Sequence, residues 1–422
     1  MKNKLTRLYH YLLTNVNFFL GGVIWVLLIA ACSDGFDNMQ DSPENQVSKS
    51  IPLVYITTPD SVEIDSKELW VKGGNIRIID EYGNESLNAE ADFRGRGNST
   101  WRMPKKPYAI KLARKTEILG MPEHKRWVLL ANWQDRTLLR NDVSFEIARQ
   151  TFPWTPRGKF VELYVNGDFR GNYYLCEQIK IDRNRVNIDK IEDADDDITG
   201  GYILEFDIYA TLEKNHFHTK YRNYPVEIKE PDDDVIYSNE HPAFVYIKEY
   251  VDSVEKIFEY GTYEEVQQLI DVKSFADYFL VYNVVGNMEL AHPKSCYMYK
   301  QRHGKLCAGP VWDFDWGPFR PGYKGLILTT AVWYGYLLEY EGFRTLLKER
   351  WRDLKPRFEK VQYYIDRQSD WICESNKENL ALWPITDVVN RDENLGFYEA
   401  VGRMRDVYRE RIAEVDAVIS SY

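Results

Sequence analysis

The sequence predicts an α+β fold, with a strand-rich first half and a helical second half. Short runs in which apolar and polar residues alternate, typical of half-buried strands, occupy much of the chain between residues 51 and 239. After residue 239 the apolar residues recur mostly at the spacing of amphipathic helices. Strands followed by helices, with no internal repeat and no Pro- or Ser-rich linker between them, indicate an α+β architecture.

The clearest local signal in the first half is a β-hairpin from Phe160 to Ile181. Its two strands are separated by Asn166-Gly167, and both residues tolerate the positive φ that a tight hairpin turn needs. A helix is predicted over 140–150, where Asp142 near the start suits the helix dipole. Further strands are predicted within 51–79 with Gly73-Gly74 between them, within 91–113 around a glycine turn, and at 127–131, 201–207 and 226–229.

The second half is predicted to be mainly helical. Helices are predicted at 245–260, 263–269 and 274–285, and about three more follow from Glu341 to the end of the chain. Two short strands are predicted between them, at 297–300 and 311–315.

The N-terminus has the pattern of a bacterial lipoprotein signal. Basic residues precede an apolar run from Phe18 to Ala31, which is shorter than the roughly 20 residues of a membrane-spanning helix. The run ends in Ile29-Ala30-Ala31-Cys32, which matches a lipobox. We therefore expect residues 1–31 to be removed and Cys32 to carry lipid, with 32–50 as a flexible tether. A plain signal peptide or an anchor helix is the alternative.

This anchor implies a place of action. We expect the protein in the cell envelope, held to a membrane by Cys32. The acidic stretch just after Cys32 resembles an export signal and favours the outer membrane, on its periplasmic or its surface side.

Composition excludes one class of partner and leaves another open. The net charge of −11 argues against nucleic acid, whose phosphates attract basic surfaces. Twelve Trp and 30 Tyr build large cores, but such residues also line sugar and nucleobase sites. Four cysteines besides Cys32 lack metal-binding spacing, and either disulfides or buried thiols fit them: Cys176, Cys296, Cys307 and Cys373.

Two segments carry residue types suited to phosphate and metal chemistry. Glycines in Arg94–Trp101 let backbone N–H groups approach an anion, and lysines follow on the returning strand; a solvated hairpin is the alternative. In Trp312–Phe319, Asp313 and Asp315 stand among apolar and aromatic residues, where an unpaired carboxylate is costly. On an extended backbone they point the same way, which suits Mg²⁺; capping aspartates at a turn are the alternative.

Two further positions are candidates. Asn283–Lys300 joins an apolar helix to a strand and carries Glu289, His292 and Lys294, in a loop position where catalytic groups often occur. Glu177 lies within an apolar strand, where an acid either faces solvent or partners a buried lysine.

Taken in order, these segments resemble the CotH kinase family, named after a spore coat protein. The resemblance spans roughly Ile51 to Phe319 and rests on the stretches FRGRGNSTW…PKKPYAIKL, LLANWQDRTLLRNDVSFEIAR, ELYVNGDFRGNYYLCEQI, GGYILEFD and GPVWDFDWGPF. It implies a divergent protein-kinase-like fold over 51–340, with a strand-rich leader (51–90), an N-lobe-like part (91–235) and a C-lobe-like part (236–340). Residues 341–422 form a helical extension of the same domain.

The resemblance also implies roles. Family members transfer phosphate from ATP to serine of secreted or coat proteins, with a divalent metal such as Mg²⁺ or Mn²⁺. Asp313 resembles the metal-binding acid, and Asp315 supports it. Glu177 resembles the acid that positions a phosphate-binding lysine. The cofactor-binding residues are then Arg96, Lys106, Lys111 and Glu177, with Lys106 the main phosphate ligand.

The chain departs from the family at one position. Where the resemblance implies a catalytic Asp about two dozen residues before Asp313, this sequence reads Asn287-Met288-Glu289, so Glu289 or an Asn takes its place. The extra methylene moves the carboxylate by about 1 Å, and a displacement of that size can cost about 100-fold in rate. The functions that follow are an extracytoplasmic protein Ser/Thr kinase, or an impaired kinase-like scaffold that binds a surface glycan or protein or acts as an assembly module.

Overall fold

The computed structural model of the protein describes residues 50–193, 196–385, 390–392 and 394–422. The predicted signal peptide, Cys32 and nearly all of the tether lie outside the described residues. Residues 51–422 form one compact unit. In the described ranges, no helix combines the length and the apolar character needed to cross a bilayer.

Seven strands of the first half form a closed barrel. They are β1 (Leu53–Thr57), β2 (Val71–Ile79), β3 (Glu85–Gly95), β4 (Tyr108–Ile118), β5 (Met121–Leu130), β6 (Gly158–Val165) and β7 (Asp168–Glu177). The order around the barrel is β1-β2-β3-β4-β5-β7-β6. Neighbours pair antiparallel except at the closure, where β1 runs parallel to β6 and Val54 lies opposite Leu163. Closure removes the unpaired edges that an open sheet exposes.

Five more strands form a second sheet beside the barrel. They are β8 (Tyr202–Phe206), β9 (His216–His218), β10 (Pro225–Glu230), β11 (Cys296–Lys300) and β12 (Leu306–Ala308). Their order is β12-β11-β8-β10-β9, and all pairs are antiparallel.

Helices pack against both sheets. They are α1 (Arg140–Arg149), α2 (Pro242–Tyr260), α3 (Tyr263–Leu269), α4 (Val272–Val285), α5 (Tyr334–Leu337), α6 (Glu341–Leu382) and α7 (Phe397–Ile419). Helix α6 continues through Pro356 because one apolar stripe stays buried along it: Leu347, Trp351, Leu354, Phe358 and Ile365.

The α+β class and its order are confirmed: the first half is strand-rich and the second is mostly helical. The closed barrel was not predicted, because local sequence patterns indicated only the individual strands. Its first two strands and the start of β3 come from 51–90, so the predicted leader is part of the barrel wall. The protein-kinase-like character of the fold stays a prediction.

Three local predictions were wrong. Gly73 and Gly74 lie inside β2 rather than between two strands. Residues 311–315 form an irregular segment, not a strand, because Asp313 adopts a left-handed backbone with φ of 66°. Among the described residues, two long helices rather than three follow Glu341.

A buried carboxylate ties α1 to the barrel and to α6. Asp142 accepts hydrogen bonds from the Tyr174 hydroxyl at 2.8 Å, the Tyr364 hydroxyl at 2.9 Å and the Gln368 amide at 2.8 Å. All three donors are neutral, so they only partly offset the loss of water. Burial therefore raises the pKa of Asp142 above its ordinary value.

Asp142→Asn is expected to gain stability relative to wild type as the pH rises. A carboxyl whose pKa is raised by folding binds its proton more tightly in the folded state, so its ionisation destabilises the fold above the unfolded value of 3.8. The amide of the variant cannot ionise. Urea unfolding at pH 4 and pH 8, which brackets the window that opens near 3.8, measures the difference, and the exposed Asp353→Asn on α6 is the control. Equal pH dependence of wild type and Asp142→Asn would contradict this account.

Candidate active site

A polar cavity of about 530 Å³ lies between the outer face of the barrel and the five-stranded sheet. Its walls come from the loop after β3, from β8, β10 and β11, and from the segment after β12. Eight acidic and six basic side chains line it, so negative charge is in excess. Such a cavity suits a ligand that brings cationic and anionic groups together.

The glycine-rich loop after β3 forms one wall. Gly97 has φ of 83°, and a Cβ there would collide with the Thr100 hydroxyl, so glycine is needed. A Cβ on Gly95 would overlap the Trp101 ring in the same way. The loop is therefore folded tightly on itself, with residues 95–100 all on the cavity wall.

Arg96 projects from this loop into the cavity. Its guanidinium lies 5.3 Å from the centre of the Trp312 ring, a cation–π contact. Within the described part of the chain, no carboxylate lies within 4.0 Å of it. Arg96 thus retains donors for an anion.

The opposite wall carries Asp313 and Asp315. Phe314 between them is fully buried, and both flanking side chains line the cavity. Asp313 lies in the left-handed region with φ of 66°, a conformation that costs energy for a residue with a side chain. Both carboxylates line the same cavity, although the extended backbone from which their common side was predicted is not formed.

The acids in this part of the cavity repel one another. Burial first, and then the charge of Asp313, raise the pKa of Asp315 to about 8. Burial and Asp313 likewise raise the pKa of Glu289 to about 7, with Lys294 acting in the other direction. Burial raises the pKa of Asp313 as well. The protein places more carboxylates here than it neutralises.

Glu289 begins a short 3₁₀ turn, Glu289–Ala291, and is 4 % exposed. Its backbone N–H donates to Asn287 Oδ1 at 2.8 Å, which fixes the turn. Its Oε2 atom is buried without a hydrogen bond, and the nearest cation, Lys294 Nζ, lies 3.8 Å away. An acceptor left in this state is available to a ligand.

The sheet contributes a second row of charges. Glu205 on β8 lies directly opposite Glu227 on β10, and Lys229 Nζ bridges them at 3.2 and 2.7 Å. Asp207 follows β8 and accepts the backbone N–H of Ser295 at 2.9 Å. Burial raises the pKa of Glu227 to about 7 and that of Asp207 to about 6.

Sequence reasoning missed these sheet residues, although a signal was present. Glu205 and Asp207 share one parity in GYILEFD, and Glu227 and Lys229 share one in PVEIKE. Charges at alternate positions of an otherwise apolar strand indicate a polar face. Lys180, which pairs with Glu230 at 2.6 Å, also lines the cavity and was missed.

The structure brings five of the residues named as candidates to the cavity: Arg96, Glu289, Lys294, Asp313 and Asp315. Lys106 is not among them, because it precedes β4 and donates to the Trp101 carbonyl at 2.7 Å. Lys111 is exposed on the outer face of the barrel, between Asp92 and Arg126 in register, and does not line the cavity either.

Glu177 is buried elsewhere and does not meet Lys106. Arg157 binds it through two nitrogens, with Nη2 2.7 Å from Oε1 and Nε 2.9 Å from Oε2. Trp154 Nε1 adds a third hydrogen bond at 3.1 Å. These contacts satisfy the carboxylate, so the lysine–glutamate pair that the resemblance implies is not formed.

The donor set fits a hard divalent cation. Asp313 and Asp315 offer carboxylate oxygens in a region of excess negative charge, and the unpaired Oε2 of Glu289 lies on the same cavity wall. In the described part of the chain, no three His, Cys, Asp or Glu side chains converge as a complete metal cage. Mg²⁺ typically uses one or two carboxylates and completes its shell with water and substrate phosphates, so two aspartates are sufficient.

Comparison with known protein families identifies the family to which the chain belongs. The chain matches the family described as CotH kinase protein over residues 93–415. No curated protein matches it. The match begins within β3 and covers most of the chain, including every cavity acid except Glu68. The chain belongs to the CotH kinase family.

Proposed function

We propose that this protein is an extracytoplasmic phosphotransferase that moves the terminal phosphate of ATP to Ser or Thr of a secreted or surface protein. The observation that carries the proposal is one cavity that Asp313, Asp315 and Glu289 line together with Arg96, which projects into it from the glycine-rich loop. Phosphoryl transfer needs chiefly positioning and charge neutralisation, and these residue types supply both.

Phosphate binding falls to the cations that line the cavity. Arg96 has free donors, and the loop around Gly97 offers backbone N–H groups. Lys294 lies near Glu289 without a short ion pair, at 3.8 Å. These groups take the role that the resemblance implied for Lys106 and Lys111.

Asp313 and Asp315 would hold the metal. A bound Mg²⁺ or Mn²⁺ neutralises phosphate charge and offsets the mutual repulsion of the carboxylates. Glu289, with a pKa raised to about 7, is suited to accept the proton of the attacking hydroxyl near neutral pH.

A second candidate is a surface binding module without transfer activity, and Glu289 in place of the implied Asp favours it. The cavity wall is dominated by charged side chains of both signs, and this favours a charged ligand over a neutral glycan.

Asp313→Asn is expected to weaken Mn²⁺ binding by at least about tenfold and to abolish labelling with ATP, because it removes a charged ligand from the metal site. Calorimetric titration of the purified protein with Mn²⁺ and ATP measures the first effect, and transfer of labelled phosphate measures the second. Asp168→Asn, in the exposed β6–β7 turn, is the control. Unchanged binding in Asp313→Asn would refute the proposed site.

Glu289→Gln is expected to lower the transfer rate by about 100-fold or more while Mn²⁺–ATP binding is retained, because general-base catalysis contributes on this scale. Glu289→Asp tests the second candidate. If wild type is inactive and Glu289→Asp gains transfer, the wild-type chain is a binding module. If Glu289→Gln keeps wild-type activity, Glu289 is not the base.

The proposed location rests on Ile29–Cys32. Cys32→Ser is expected to abolish lipid attachment and to release the protein from the membrane fraction. Labelling with a clickable fatty acid followed by fractionation measures both, and Cys373→Ser should keep the label. A wild-type protein that carries no lipid would contradict the anchor.

A further inference from the structure

We infer that Asn390, in the segment between α6 and α7, is a positioning residue for the loop that carries Asp313 and Asp315. The inference rests on the proposed function of these aspartates and extends it to the C-terminal helices, for which the sequence offered no role. It depends on three hydrogen bonds of Asn390 and on the neighbouring contacts of Asn141 and Arg140.

The amide of Asn390 binds the loop on both sides of Asp315. Its Nδ2 donates to the Asp315 carbonyl at 3.1 Å, and its Oδ1 accepts the Gly317 N–H at 2.9 Å. The second hydrogen on Nδ2 goes to the Gln134 carbonyl at 2.8 Å. Asn390 is 1 % exposed. One side chain thus joins the loop to the segment before α1.

Only an asparagine-like group fits this arrangement. Two backbone carbonyls need donors and one backbone N–H needs an acceptor, so the amide has a single satisfactory orientation. Without it, buried backbone groups of the loop lose their partners. Loss of a partner costs more than the net value of the bond because the remaining group is already out of water.

The loop needs such support because its conformation is irregular. The left-handed Asp313 is unfavourable in isolation, and no strand pairing holds residues 311–317. Asn141 supports the first part, where its Oδ1 accepts the Phe314 N–H at 2.8 Å. Asn390 supports the second part, directly at Asp315.

A buried ion pair brings the 390–392 segment to the loop. Asp392 Oδ2 lies 2.7 Å from Arg140 Nη2, and the same guanidinium donates from Nε to the Pro318 carbonyl at 3.0 Å. Arg140 also pairs with Asp135. The start of α1, the loop and the C-terminal segment are thereby joined around one cation.

Asn379 in α6 provides a matched comparison. It is 3 % exposed, and its Oδ1 accepts from Lys105 Nζ at 2.7 Å and from the Asn172 N–H at 3.2 Å. These contacts fasten α6 to the barrel and do not involve the Asp313–Asp315 loop. A purely structural role for Asn390 would make the two residues equivalent.

The test measures Mn²⁺ affinity and thermal stability of the full-length protein for wild type, Asn390→Ala, Asn390→Ser and Asn379→Ala. Mn²⁺ binding is followed by electron paramagnetic resonance of the free ion, which requires no activity. Asn390→Ala is expected to weaken Mn²⁺ binding about 10- to 100-fold, the usual effect of removing a group that orients a metal ligand. Asn379→Ala is expected to lower the Tm but to keep the wild-type Kd.

Asn390→Ser provides a hydroxyl that is too short to reach both sides of the loop. This variant replaces Asn390→Ala in the test if Asn390→Ala does not fold. An intermediate loss of affinity is expected for it. Wild-type affinity in a folded Asn390 variant overturns this inference and leaves the proposed function intact. Absence of Mn²⁺ binding in wild type overturns both.

Discussion

Buried negative charge at Asp313 and Asp315 is the constraint on which the rest of the site depends. Two carboxylates that are buried close together are unfavourable when both are ionised, and burial first, then the charge of Asp313, raise the pKa of Asp315. Nearby Glu289 adds to it. A bound divalent cation would turn this repulsion into attraction.

The surrounding structure holds this charge in place. Barrel and sheet supply two rigid walls, and the loop between them is fastened from α1 and from the C-terminal segment. Arg140 is central: it is 1 % exposed, pairs with Asp135 and Asp392, and binds the loop at Pro318. Breaking a buried pair of this kind leaves an uncompensated charge. The C-terminal part of the chain thus helps to hold the loop that carries Asp313 and Asp315.

Local patterns predicted the elements whose structure is decided locally. The hairpin at Asn166-Gly167 has the expected positive φ at both residues, and α1 begins at Arg140 as predicted. Asp313 and Asp315 could be identified as candidate site residues because an unpaired carboxylate among apolar and aromatic residues is energetically costly. Barrel closure could not be predicted from local patterns, because β1 and β6 are far apart in sequence and their pairing depends on the whole sheet. The positions of Lys111 and Glu177 could not be predicted either. The alternation of side chains along one strand does not reveal which face of the barrel meets the second sheet.

The most direct test of the central claim is the anomalous scattering of crystals soaked in Mn²⁺ with a non-hydrolysable ATP analogue. The account predicts an anomalous peak in the cavity at about 2.1 to 2.3 Å from carboxylate oxygens of Asp313 or Asp315, the distance expected for a small divalent cation. If the ATP analogue is bound but no anomalous peak lies at these carboxylates, or if peaks lie only on the protein surface, the proposed metal site is contradicted.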